Sequence, residues 1–260
     1  MRNTISTLMG VVAVWTMVAI AADAPYIGKW RLNPAKSQLT GEAISIEKLS
    51  SGDMQYHYDV EGFAYNFNLD GKEYPLPDGG TTSWAAIDAK TWQVTNRRNG
   101  RISATYRIVL DGDTLVFESK RSKASGGTSD ETSKATRVSG GPGFVGRWKI
   151  SVVTKPAVWT MEIAPNGTDG VTLTSSESGA VCKAKFDGKD YPVTGPFVGR
   201  GETYVMKKTG PRSFEIVEKS NGKLRYTDNV SASEDGKTLT FDSIAAGSHD
   251  AAKTVYDRAN

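Results

Sequence analysis

The strongest constraint on this chain is that it contains the same sequence twice. Tyr26-Ile27-Gly28-Lys29-Trp30-Arg31 recurs as Phe144-Val145-Gly146-Arg147-Trp148-Lys149, 118 residues further on. Leu69-Asp70-Gly71-Lys72-Glu73-Tyr74-Pro75-Leu76 recurs as Phe186-Asp187-Gly188-Lys189-Asp190-Tyr191-Pro192-Val193. Asn99-Gly100 returns as Asn221-Gly222, and Gly112-Asp113-Thr114-Leu115-Val116-Phe117 as Gly236-Lys237-Thr238-Leu239-Thr240-Phe241. Solenoid repeats run at roughly 20–50 residues, so a period this long describes two whole domains. The joint is Ser139-Gly140-Gly141-Pro142-Gly143, a linker by composition. The division that follows is a leader at 1–21, a first repeat at 22–139, a Gly-rich linker at 140–143 and a second repeat at 144–260.

Inside each repeat the hydrophobic pattern has period two. Phe63, Tyr65, Phe67 and Leu69 share one face against Ala64, Asn66 and Asn68. Ile102, Ala104, Tyr106, Ile108 and Leu110 do the same against Arg101, Ser103, Thr105 and Arg107. The runs are separated by Asp-Gly and Asn-Gly pairs, which are hairpin turn signals, and no amphipathic helix interrupts them. The spacing predicts about nine strands per repeat in an antiparallel meander. Closing such a meander removes both exposed edges. The expected fold class is therefore all-β, two tandem up-and-down antiparallel barrels.

The first segment reads as an export signal. Arg2 is followed by an apolar stretch from Ile5 to Ile20, and Ala19, Ala21, Ala22 and Ala24 offer small-residue cleavage sites. Cleavage after Ala21 or Ala22 predicts a periplasmic or secreted bacterial protein with no membrane span once the leader is gone. No cysteine stands directly after the apolar stretch, which argues against a lipid anchor. Cys182 is the only cysteine in the chain, so no internal disulfide is available and the cores must hold the fold. The 32 Lys and Arg nearly balance 29 Asp and Glu, and no basic helix or aromatic stacking motif points to nucleic acid.

The opening Gly-x-Trp of each repeat resembles the first-strand signature of the lipocalins and related calycin barrels. That resemblance implies that Trp30 and Trp148, after Gly28 and Gly146, each plug the closed end of a barrel. It also implies a cover by a basic side chain from the last strand of the same repeat, with Arg137 and Arg258 as candidates. Such a cation–π contact is worth on the order of 1 kcal/mol. Gly28-Lys29-Trp30-Arg31-Leu32-Asn33-Pro34-Ala35-Lys36-Ser37 is also similar to the start of a group of uncharacterised exported bacterial proteins sharing G-x-W-x-L-N-x-x-K-S. The second repeat keeps Gly146 and Trp148 but not the rest of that motif.

Chemistry-bearing motifs are sparse. His57 and His249 are the only histidines and fall at non-equivalent positions. No zinc-ligand spacing, nucleophile elbow or carboxylate pair stands out, so no catalytic, metal or cofactor site is assigned. Asp70 and Asp187 read as turn residues.

The informative difference between the repeats is volume. An offset of 117 pairs Ala180, Cys182 and Ala184 with Phe63, Tyr65 and Phe67, and Ser175 with Tyr58. Lys183 and Lys185 must face water, so Ala180, Cys182 and Ala184 face inward, with Cys182 a buried thiol. Empty space costs roughly 24 cal/mol per Å³, so the second domain must contract or hold a guest. The expected lining is Trp159, Met161, Ala180, Cys182, Ala184, Tyr204, Met206 and Phe214. The leading expectation is an exported protein binding a small apolar molecule in the second barrel. The alternatives are a cell-envelope interaction module with filled barrels and, third, an enzyme of unknown type.

Overall fold

A computed structural model describes residues 24–58, 63–157, 159–248 and 251–259. The leader assigned to 1–21 lies outside the described residues. The alternating runs become twenty strands. In chain order the first ten are β1 (Gly28–Leu32), β2 (Ala43–Lys48), β3 (Met54–Tyr58), β4 (Ala64–Phe67), β5 (Asp70–Pro75), β6 (Thr81–Asp88), β7 (Thr91–Arg98), β8 (Arg101–Asp111), β9 (Thr114–Ser122) and β10 (Thr128–Ser139). The second ten are β11 (Gly146–Lys155), β12 (Thr160–Pro165), β13 (Gly170–Ser175), β14 (Val181–Lys185), β15 (Asp187–Thr194), β16 (Glu202–Gly210), β17 (Ser213–Ser220), β18 (Lys223–Ala232), β19 (Thr238–Ala245) and β20 (Ala251–Arg258). They form two antiparallel barrels of ten strands each, one more per barrel than the sequence spacing suggested. Asp70-Gly71-Lys72 and Asp187-Gly188-Lys189, expected as turns between strands, instead open β5 and β15, where the register against β6 and β16 shifts.

The barrels exchange their first strands. Strand β1, from the first repeat, lies between β12 and β20 and closes the barrel built by the second repeat. Strand β11, from the second repeat, lies between β10 and β2 and completes the sheet of the first. The Gly-rich segment after Ser139 is thus the turn of the β10–β11 hairpin, and the chain passes between barrels after Leu32 and after Lys155. The two passages touch where Leu32 N donates to the Trp159 carbonyl at 2.8 Å. The second barrel is closed, whereas the first is rolled up with no ladder between β4 and β5 among the described residues.

In each barrel a buried Trp lies under an arginine, and that arginine comes from the other repeat. Trp30 and Trp148 are both 0% exposed, and each indole Nε1 donates to a carbonyl four residues earlier, Tyr26 and Phe144, at 3.0 Å. Arg258 lies 4.3 Å over the Trp30 ring and Arg137 4.0 Å over the Trp148 ring. The expectation that each Trp is covered from the last strand of its own repeat is therefore corrected. The cover follows the barrel, and the first strand has moved to the other barrel. Gly28 and Gly146 explain the Gly-x-Trp spacing, because a Cβ at Gly28 would overlap the Arg258 guanidinium and one at Gly146 would sit 3.0 Å from Arg137.

The Asn-x-x-Lys-Ser part of the first repeat locks this exchange. Asn33 and Lys36 both donate to the Asp257 carboxylate on β20, at 2.5 and 2.7 Å. Ser37 Oγ accepts from Val255 N at 2.9 Å. The motif pins the outgoing chain against the barrel it has just entered. The second repeat, whose β11 continues its own hairpin, has no need of such a clamp.

Candidate functional site

The poles plugged by Trp point outward, so the opposite mouths face each other. The turns of the two mouths interlock: Arg200 N donates to the Asp78 carbonyl at 2.8 Å and Ala124 N to the Glu177 carbonyl at 2.7 Å. The Asn99 side chain reaches the Pro196 carbonyl and Asn221 reaches the Pro77 carbonyl, at 3.4 and 3.5 Å. Both asparagines hold φ near 50° at the head of Asn-Gly turns, a conformation Asn tolerates better than most residues. At the waist, the Arg225 guanidinium of the second repeat lies 4.8 Å over the Phe63 ring of the first. Between the mouths is a single chamber of about 1600 Å³ lined from both repeats.

Five of the eight residues proposed as a lining reach this chamber: Trp159, Met161, Ala180, Cys182 and Tyr204. Trp159 is 42% exposed and sits at its rim. Ala184, Met206 and Phe214 do not reach it. They are fully buried in the packed core around Trp30, where Phe214 meets Tyr26 edge-on at 4.9 Å. In the first barrel the matched volume is taken by stacked aromatics, Tyr56 on Tyr65 at 5.3 Å and Phe67 on Trp84 at 4.2 Å. Burial pushes the Cys182 thiol up to about 11, with Glu218 a lesser cause. That thiol is un-ionised at neutral pH.

Halfway down each barrel runs a belt of polar side chains at equivalent positions. In the second it is Tyr204, Glu218, Asp228 and Ser243. In the first, the ladder partners place Thr82, Asn96, Tyr106 and Ser119 at the same points. The Tyr204 hydroxyl donates to Glu218, which lies against Asp228. Burial first, and the neighbouring Asp228 second, push Glu218 up to about 8, and burial raises Asp228 as well. Two carboxylates this close and this buried hold a proton between them at neutral pH.

The first belt carries no carboxylate and is built of hydroxyls and an amide, with a guanidinium beside them. Thr82 Oγ1, Trp84 Nε1, Asn96 Oδ1, Ser119 Oγ and Arg121 Nε are shut off from solvent with no hydrogen-bond partner. The Tyr65 hydroxyl is the one hydrogen-bonding neighbour that Trp84 and Thr82 have among the described residues, on a loose geometry.

The belts escaped the sequence reading because their residues are scattered over four strands. The available signal was parity: Glu218 continues the inward set of Phe214 and Ile216, where a carboxylate is out of place. Among the described residues no group of three or more His, Cys, Asp or Glu converges to hold a metal ion, and no helix is long and apolar enough to cross a membrane. His249 lies outside the described residues. Comparison of the chain with protein-family models, with curated proteins and with solved structures finds no match.

Proposed function

We propose that this is an exported binding protein that holds one small, mostly apolar molecule in the chamber, with the body of the guest in the second barrel. The observation that carries the reading is the chamber itself, larger than the roughly 300–1,000 Å³ typical of small-molecule pockets. Leu173, Ala180, Cys182, Ile216 and Phe241 give the second-barrel wall an apolar surface, thinned by the loss of the first repeat's aromatics. The leader expected at 1–21 supports export, and the Trp plug under an arginine supports a lipocalin-like mode of enclosure by analogy.

The test is titration with N-phenyl-1-naphthylamine, a neutral apolar fluorophore, against the full chain and an Ala180→Phe, Cys182→Tyr variant. Those substitutions restore the side chains the first repeat carries at these positions. We expect at least tenfold weaker binding with stability unchanged or raised. Ala184→Phe is the control, because it intrudes on the packed core and should cost about 1–3 kcal/mol without touching the chamber. If the double variant unfolds the protein by several kcal/mol and the wild type binds no probe, the interior is already filled and the interaction-module reading replaces this one.

A further inference from the structure

Resting on that reading, we infer that the guest carries an anionic group, a carboxylate or sulfonate class of head, seated at the waist of the chamber between Arg121 and Arg225. Five arginines, Arg97, Arg98, Arg107, Arg137 and Arg212, each reach a carboxylate. Arg121 and Arg225 line the chamber and form no ion pair among the described residues, and the Nε of each is buried without a partner. Only the Nε of each is shut off from water, and Glu42 and Glu131 face Arg121 and Glu202 faces Arg225 without pairing, so an oxyanion from a guest would supply the direct partner that neither guanidinium has.

Both flank the same aromatic pair. Arg225 covers the Phe63 ring, Phe63 stands 6.4 Å from Tyr58, and Tyr58 is within electrostatic reach of Arg121. Arg121 itself lies 5.8 Å over the Tyr106 ring. Aromatic faces hold each guanidinium in place while leaving its N–H edge free for an oxyanion. The carboxylates facing these arginines are Glu42 and Glu131 for Arg121 and Glu202 for Arg225, and none closes to ion-pair distance. Ser119, two residues before Arg121 on β9, has a buried hydroxyl without a partner that can donate to the same guest.

The experiment compares two probes that share one aromatic framework. 8-Anilinonaphthalene-1-sulfonate carries an anion that N-phenyl-1-naphthylamine lacks. In the wild-type chain the sulfonate should bind at least tenfold more tightly, the usual worth of a charge-assisted contact in an enclosed site. Arg121→Met and Arg225→Met should each bring the ratio of affinities towards one, with affinity for the neutral probe retained as the sign of an intact chamber. Arg121→Lys should keep part of the preference. Equal wild-type affinity for the two probes overturns the anion site and leaves the binding protein standing. A sulfonate preference untouched by either Met substitution also overturns it, because surface cations then supply the attraction. Binding of neither probe overturns both readings.

Discussion

The two barrels share one topology and one kind of plugged pole, yet they differ at the belt halfway down. In the first, Asn96, Tyr106, Ser119 and Arg121 present an amide, two hydroxyls and one positive charge. In the second, Glu218, Asp228, Ser243 and Ala245 occupy the matched points and present two acids. The aromatic volume is also unequal, being large beside the first belt and small beside the second. Duplication kept the residues that make a barrel and released those that face its interior. The result is a chamber with chemically distinct halves, which a single barrel of this size does not provide.

The largest effect that would break the comparison lies at the poles. Because the first strands are exchanged, Trp30→Ala should remove about 3–5 kcal/mol from the barrel of the second repeat. Hydrogen exchange should then lose protection over β12 to β20 and keep it over β2 to β10. Loss over β2 to β10 instead would contradict the exchange.

The next effect separates the belts by pH. The carboxyl of Glu218 is raised in the folded chain, so its contribution to stability is complete below about 4.5 and is lost as pH rises through about 8. Between pH 6 and 9 the wild type should lose about 2 kcal/mol, discounted because Glu218 borders the chamber rather than dry core. Glu218→Gln should flatten that slope in urea titrations at several pH values. An unchanged slope would remove the acid pair from the account.

A smaller difference is expected between the two pole glycines. An added Cβ at Gly28 meets the Arg258 guanidinium, which the Pro25, Ile27 and Gly236 carbonyls hold in place, whereas at Gly146 it meets the Ser139 carbonyl at 2.5 Å. Gly146→Ala should cost roughly 1 kcal/mol more than Gly28→Ala in thermal unfolding, since relief at Gly146 moves backbone and relief at Gly28 gives up only side-chain hydrogen bonds. The smallest effect belongs to the clamp that only the first repeat has. Lys36 and Asp257 pair at 2.7 Å but are about half exposed, so Lys36→Met should cost under about 1 kcal/mol.

The sequence by itself determined the duplication, the all-β character and which face of each run points inward, because period-two alternation is a property of neighbouring residues. Parity of this kind placed Ala180 and Cys182 on the chamber wall. It could not separate them from Ala184, Met206 and Phe214, which share that parity but lie deeper, since depth along a barrel depends on register between strands. The Trp plugs were legible from Gly-x-Trp, whereas the identity of the arginine over each was not. Strands β1 and β11 carry the same pattern, so either barrel accepts either strand and no local signal chooses between them. That choice is made by the paths the connections can take, by the Asn33–Lys36–Asp257 clamp, and by turns of the two mouths that fit only when the barrels face each other. The chamber exists because of that facing, and so do the neighbours of Arg121 and Arg225: their surroundings come from two repeats far apart in the chain, brought together only by tertiary structure.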